Sequence, residues 1–354
     1  MRSPLALPAT LLALSLAPCA RGDTPAAQPA TVSYGDLFHS SAFTVTSEND
    51  KYFAGTDHHY TNGLKVAFLG TTRLDESPDF IRWVTRQLPT LRQDAARQSY
   101  KVGLSLGQDI FTPSDTARAV PDPRDRPYAA WLYTSVNLQA VSADGRTLRS
   151  ADITVGMVGP AALGRQVQNG FHRMIGDATA QGWDHQLKNE PGLILGLERR
   201  RRMLRLELGR SPVATDLIGH YGVELGNIRT NAYAGPAVRI GWHLPEDFGA
   251  DVIRPGGGDE TPARSASVYL FVSSQAQAVA RNIFLDGNSW RAGPSVDKRP
   301  VVGDLDVGLV SRFPVRLGAV RGLQLAYIQN YRTNEFYGQV KPDVFGSISM
   351  SVLF

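Results

Sequence analysis

Apolar residues recur in this chain with a period of two, and beyond the N-terminal segment no stretch approaches the roughly 20 consecutive apolar residues that a membrane helix needs. Tyr100, Val102, Leu104, Leu106 and Ile110 share one parity, set against Lys101, Gly103, Ser105, Gly107 and Asp109. Tyr60, Leu64, Val66 and Phe68 are set in the same way against Thr61, Gly63, Lys65 and Ala67. At the C-terminus, Ile348, Met350, Val352 and Phe354 alternate with Ser347, Ser349, Ser351 and Leu353. A strand sends alternate residues to opposite faces, so each segment has one apolar face and one small or polar face. The polar face suits a wet lumen better than a dry protein core. The last segment has about ten residues, the length of a tilted membrane strand, and it ends the chain on an aromatic. The pattern predicts an all-β fold, a closed antiparallel transmembrane β-barrel.

The N-terminus agrees with export. Met1-Arg2 is positive, segment 5–17 is apolar and broken by Pro8, and Ala20-Arg21-Gly22 supplies the small residues of a cleavage site. The layout is that of a secretory signal over residues 1–22, leaving 23–354 as a single barrel domain of about 330 residues. Cys19 is the only cysteine, and Pro18 directly before it argues against a lipidated cysteine. Without that residue the exported chain has no disulfide, no thiol nucleophile and no cysteine-ligated metal. A net charge of +4 is not the dense cationic stripe of a nucleic-acid binder. The mean hydropathy of −0.19 is too polar for a bundle of membrane helices.

Candidate strands fall at 41–48, 59–70, 99–110, 128–141, 147–158, 190–200, 203–211, 219–228, 232–243, 265–279, 302–313, 318–331 and 344–354. A bacterial barrel closes on an even number, so twelve are expected, with 219–228 as the surplus one. Ser142-Ala143-Asp144-Gly145 and Arg200-Arg201-Arg202 read as short periplasmic turns. The long stretches 71–98, 111–127, 159–189, 244–264 and 280–301 read as outer loops. Two of them carry helical periodicity. Segment 79–97 places Phe80, Val84, Leu88 and Leu91 on one face until Pro89 ends or kinks it, and 163–177 clusters Val167, Phe171, Met174 and Ile175.

Polar residues gather where strands meet loops. They are Ser47-Glu48-Asn49-Asp50-Lys51-Tyr52 with His58-His59-Tyr60-Thr61-Asn62-Gly63, then Gly107-Gln108-Asp109-Ile110-Phe111-Thr112-Pro113-Ser114, then Asp125-Arg126-Pro127-Tyr128, then the run from Gln166 to Asp177 followed by Gly182-Trp183-Asp184-His185. In order and spacing, Asn49-Asp50, Tyr60-Thr61-x-Gly63, Gln108-Asp109-Ile110-Phe111-x-Pro113-Ser114 and Gln168-Asn169-x-x-His172-Arg173-x-Ile175-Gly176 resemble the lipid A 3′-O-deacylase family of outer-membrane proteins, over nearly the whole exported chain. The resemblance implies a twelve-stranded barrel with an active site at the outer rim, between barrel wall and loop helices. It implies calcium-dependent hydrolysis of the ester-linked 3′-acyl group of lipid A, and so a lipopolysaccharide substrate in the outer membrane of a Gram-negative bacterium. By position, Asn49, Asp50, Thr61 and His172 match the family's active-site residues. There are two departures. The family's metal-binding glutamate, six residues after the histidine, is replaced by Ala178, which leaves Asp177 as the nearest carboxylate. The lysine after the Pro-Ser turn is absent, and only Arg118, Arg124 and Arg126 follow it.

The chemistry agrees with these residue types. Ester hydrolysis needs a group to take a proton from water, and a neutral imidazole near pH 7 does so, which makes His172 the expected base. Calcium prefers carboxylate and carbonyl oxygens, so Asp50 and Asp177 are the expected ligands. Asn49 is expected to orient the water or the histidine, and Thr61 to hold the base or the substrate. Each has a plainer reading as well: a rim or capping histidine, an Asn-Asp turn. His58-His59 would point to opposite faces of a strand, which suits surface and lumen better than a metal pair. Arg126, Arg165 and Arg173 are either phosphate ligands or solvated loop charges. His185 has no expected task. A passive pore or structural barrel, and another outer-membrane lipid enzyme such as a phospholipase or acyltransferase, stay open as other functions; a serine type needs a nucleophile, and Ser47 and Ser114 lie in motifs without a recognisable nucleophile setting. No nucleic-acid partner is expected, and the barrel is expected to act as a monomer.

Overall fold

A computed structural model of the chain describes residues 40–52, 59–73, 77, 79–88, 91, 99–250 and 265–354. The expected signal 1–22, Cys19 and His58 lie outside them. In chain order the elements are β1 (Ser40–Asn49), β2 (His59–Arg73), helix α1 (Asp79–Gln87), β3 (Ser99–Thr112), β4 (Ala129–Val141), β5 (Thr147–Val158), helix α2 (Gly164–Ile175), β6 (Glu190–Glu207), β7 (Val213–Gly226), β8 (Arg229–Trp242), β9 (Ser267–Asn282), β10 (Val301–Leu317), β11 (Val320–Arg332) and β12 (Asp343–Leu353). Every strand pairs antiparallel with its neighbours in sequence, and β1 pairs with β12 to close a twelve-stranded barrel.

Alternation explains the wall. Phe43, Leu64, Phe68, Leu104, Leu106, Ile348 and Met350 face outward and are exposed, as lipid-facing residues must be. Their neighbours Thr44, Lys65, Lys101, Ser349 and Ser351 are buried in the lumen. At the seam, Phe354 N–H donates to Ser41 O at 2.8 Å and Thr44 Oγ1 donates to Ser351 Oγ at 2.9 Å. The terminal aromatic thus closes the cylinder.

Twelve strands are as expected, but the surplus segment was not 219–228, which lies largely within β7. Segments 190–200 and 203–207 are a single strand, β6, and 208–211 is the turn after it. Arg200-Arg201-Arg202 is mid-strand and not a turn: Arg200 and Arg202 point into the lumen, where Arg200 Nη2 donates to Glu198 Oε2 at 3.1 Å and Arg202 Nε to Asp216 Oδ2 at 3.3 Å. A charge run looks solvated in sequence, but inside this barrel it is neutralised.

The loop rule also fails in part. Up-and-down order puts 71–98 and 244–264 at the end where β1 starts and β12 finishes, here the inner rim, alongside the short 142–146 turn. Conversely, the two residues between β7 and β8 form a tight turn at the outer rim. The described residues of these inner-rim segments pack against the barrel. Leu91 and the helix preceding it lie against Tyr100, Leu138 and Ala140, so α1 is not an extracellular helix. Asp247 and Phe248 are buried among lumen arginines. As expected, α1 stops before Pro89.

Candidate active site on the outside of the barrel wall

Two local features bring polar side chains to the outer face of the wall. A register shift between Tyr60 and Asn62 inserts one extra residue into β2 opposite β3. Before the shift Tyr60 points into the lumen, where its hydroxyl donates to Glu48 Oε2 at 2.8 Å. Thr61 is thereby turned outward, and its hydroxyl lies 2.7 Å from that of Thr112. The second feature is the turn after β1. Asn49 sits on the outward parity of its strand, opposite Asn62, and its Oδ1 accepts from Lys51 N–H at 2.8 Å, the local side-chain turn that Asn favours. Asn49, Asp50, Thr61 and Thr112 are all buried. Polar groups buried on the lipid side of a barrel need partners and a cover.

Helix α2 supplies the cover beside them. It lies against the outward faces of β3 and β4, with Gln108 Nε2 donating to Ala162 O at 2.5 Å just ahead of it. Ile110, Tyr128, Ala130, Ala162, Ala180 and Trp183 fill the space between. The approach is close because residue 164 is glycine: a Cβ there would stand 2.5 Å from Ala130 Cβ and 2.7 Å from the Trp183 ring. Gly164→Leu is therefore expected to push the start of α2 off β4 and lower activity by about 10²-fold, since small displacements of catalytic groups have effects of that size. Heat-modifiable migration on gels should show the barrel unchanged, and unaltered activity would refute the packing argument.

The motif Gln168-Asn169-x-x-His172 is the wall-facing polar stripe of α2. Trp183 Nε1 donates to Gln168 Oε1 at 2.8 Å. Asn169 bonds Ala180 twice, Nδ2 to the carbonyl at 3.0 Å and Oδ1 from the N–H at 2.9 Å. His172, 4% exposed, has Nδ1 at 2.5 Å from Ala178 O. A carbonyl only accepts, so Nδ1 carries the proton of this bond. Gly176, with φ of 76°, turns the chain back after the helix so that residues 177–180 run along this stripe. The position at which the family pattern has a glutamate therefore orients the histidine with its backbone.

Asp177 links this cap to the β1 turn. Its carboxylate accepts from Lys51 Nζ and, at 2.8 Å, from Ala178 N–H. The Lys51 ammonium, then that N–H, hold its carboxyl below the usual carboxylate range, with a smaller contribution from His172. Asn49, Asp50 and Lys51 are thus connected through Asp177 and Ala178 to His172. Thr61 lies beside them on the β2 bulge. The implied calcium can be judged on donor chemistry. Asp50 is a buried carboxylate, the donor type that a hard cation takes. Asp177 is engaged by Lys51, and no group of three metal-ligating side chains occurs among the described residues. Of the expected ligands, the buried Asp50 carboxylate is the donor that fits a hard cation.

The remaining candidates are spread elsewhere. Arg126 is no phosphate ligand: it is fully buried, donates to Glu335 Oε2 at 3.1 Å and lies over the Phe111 ring. Arg165 pairs with Asp184 at 2.8 Å on the surface, and Arg173 is exposed. Arg118 and Arg124 both face Asp122. His185 is exposed. Within Gln108-Asp109-Ile110-Phe111, alternation sends Gln108 and Ile110 to α2, and Phe111 into the lumen aromatic cluster. Sequence reading missed Lys51, Ala178 and Trp183. Lys51 and Trp183 stood inside the quoted motifs, but a backbone carbonyl leaves no trace in a sequence.

A lipid-facing cylinder with a buried polar cluster outside its wall, beneath a loop helix, defines an outer-membrane β-barrel with a rim site. Over residues 9–354 the sequence matches the family of outer membrane protein LpxR, and the chain belongs to that family. Membership places it in the outer membrane. LpxR from Salmonella typhimurium shares the fold, with a TM-score of 0.70 at 18% identity over 88% of this chain and 100% of that one. The COG4313 outer membrane channel from Pseudomonas putida F1 (TM-score 0.42, 12% identity, 93% and 100% covered) and the β domain of the Bordetella autotransporter BrkA (0.40, 11%, 88% and 97%) are more distant. No curated protein matches the chain significantly.

Proposed function

We propose that the protein hydrolyses the ester-linked 3′-acyl group of lipid A in the outer leaflet, with His172 as general base. The observation that carries this reading is the buried ring of His172, oriented by Nδ1–H donating to Ala178 O and set beside a polar cluster. Nε2 takes a proton from water as its oxygen attacks the acyl carbonyl. The tetrahedral intermediate then collapses, and the same nitrogen returns the proton to the departing sugar oxygen. Asn49 and Thr61 orient water and substrate through side-chain hydrogen bonds. Calcium held by Asp50 would supply positive charge for the oxyanion, typically worth several kcal/mol.

The lumen supports this reading over a passive pore. Its outer half is packed by Tyr60, Phe111, Trp131, Phe284 and Phe345, and the cavity among them, about 60 Å³, has room for a few waters and none for an acyl chain. A serine hydrolase is less well supported: Ser47 Oγ bonds the Tyr52 hydroxyl at 3.0 Å, and Ser114 sits in a turn held by Asp125. Mass spectra of lipid A and phospholipids from cells with and without the protein test the proposal. A 3′-trimmed lipid A is expected only in its presence, and unchanged lipid A would end the esterase reading. Exhaustive chelation is expected to stop acyl release and added calcium to restore it. Full activity in chelator would remove the metal from the mechanism.

A further inference from the structure

Helix α2 has three faces. At about 100° per residue, Gln168, Asn169 and His172 form the buried polar stripe against the wall. Leu163, at its N-terminal cap, with Val167, Phe171, Met174 and Ile175, forms a second stripe that is entirely exposed, Met174 at 75%. Gln166 and Arg173 form a third stripe, exposed and polar. In water the second stripe would be an anomaly, because a surface helix normally turns its apolar side to the protein. Here the protein takes the polar side.

The apolar stripe is continuous with an interface that the barrel already has. Along β3, Leu106 and Leu104 follow Gln108 toward the inner rim, and both are exposed on the lipid-facing parity, as is Val136 on β4. We infer that α2 lies in the outer leaflet at the boundary between acyl chains and headgroups, with Val167, Phe171 and Met174 among acyl chains and Gln166 and Arg173 among headgroups. This is the geometry of an interfacial amphipathic helix, clamped along its buried polar face to a barrel. The occupant of the apolar stripe is the hydrocarbon of the leaflet. His172, on the clamped face, is thereby held at the depth where an acyl chain joins its sugar. The placement of the helix rests on its faces alone. Its bearing on substrate, a lipid attacked at the chain–headgroup junction while still in the membrane, rests on the esterase proposal.

The depth can be read without any hydrolysis. In the full-length protein with Cys19→Ser, nitroxide labels are placed singly through Met174→Cys, Val167→Cys and Arg173→Cys, and the barrel is reconstituted in phosphatidylethanolamine and phosphatidylglycerol vesicles. Collision with oxygen, which partitions into hydrocarbon, is compared with collision with a polar nickel chelate. The labels at 174 and 167 are expected to show a several-fold higher oxygen-to-nickel ratio than the label at 173, although 173 and 174 are adjacent in sequence. Equal nickel access at 173 and 174 would place α2 in water and overturn the inference. Two apolar positions guard against a single variant that fails to assemble. Loss of the esterase reading would leave the accessibility result standing, and failure of the accessibility test would leave any measured hydrolysis standing.

Discussion

Replacing His172 with alanine is expected to reduce acyl release by about 10²- to 10⁴-fold, the usual contribution of a positioned general base, while the barrel assembles and keeps its heat-modifiable migration. The barrel is expected to survive because α2 adds nothing to the strand ladder: each strand is held by its two neighbours. Alanine also removes the bond to Ala178 O, so it combines loss of the base with loosening of the cap. His172→Gln separates the two effects. Its amide N–H can still donate toward the carbonyl, but it has no group that accepts a proton at neutral pH. Equal losses in both variants, with the cap as resistant to limited proteolysis in the glutamine variant as in the parent, would assign the effect to proton transfer. Parental activity in either variant would remove His172 from its role.

The barrel was legible in the sequence because lipid and lumen impose opposite demands on successive residues. Ile348, Met350 and Phe354 against Ser347, Ser349 and Ser351 needed no further information. Arg200-Arg201-Arg202 misled because charge in sequence says nothing about what faces it, and Glu198 and Asp216 lie across or along the wall. The sides of the long connections were misjudged because length was taken as the signal. The start of the segment holding Asp247 folds back to neutralise lumen arginines. At the site, side chains could be named and contacts could not. Gln168, Asn169 and His172 were visible as a motif, yet each is held by something unspecific in sequence: a tryptophan fifteen residues on, and the backbone of two alanines. Exposure was hidden too. Val167, Phe171 and Met174 were visible only as an apolar cluster, and the wall contacts of the opposite stripe show that they point away from the protein.

Asp247→Ala is expected to destabilise the barrel by about 3–5 kcal/mol, the usual effect of removing one partner from a buried ion pair. Its Oδ1 accepts from Arg239 Nη1 at 2.6 Å, its Oδ2 forms an ion pair with the Arg312 guanidinium, and its backbone carbonyl accepts from Arg202 Nη2 at 2.6 Å. Asp216 takes the other side of Arg239 through two bonds, at 2.9 and 2.6 Å. Three buried guanidiniums thus meet at two aspartates, and removing Asp247 takes a buried negative charge from among them. Burial alone would push the Asp247 carboxyl up, but Arg312 and Arg239, with the N–H of Gly249, outweigh it and hold it below the usual carboxylate range. A carboxyl ionised more readily in the folded than in the unfolded state stabilises fully above its unfolded value of about 3.9, and the stabilisation fades as pH falls toward the lower folded value. The parent should therefore lose resistance to denaturant below about pH 4, and the variant should start lower at neutral pH and lose less on acidification. Tryptophan fluorescence during urea titration in vesicles, at neutral and acid pH, measures both. Matching midpoints for parent and variant at neutral pH would show that the arginines find other compensation, and that the inner-rim segment is a cover rather than a counter-charge.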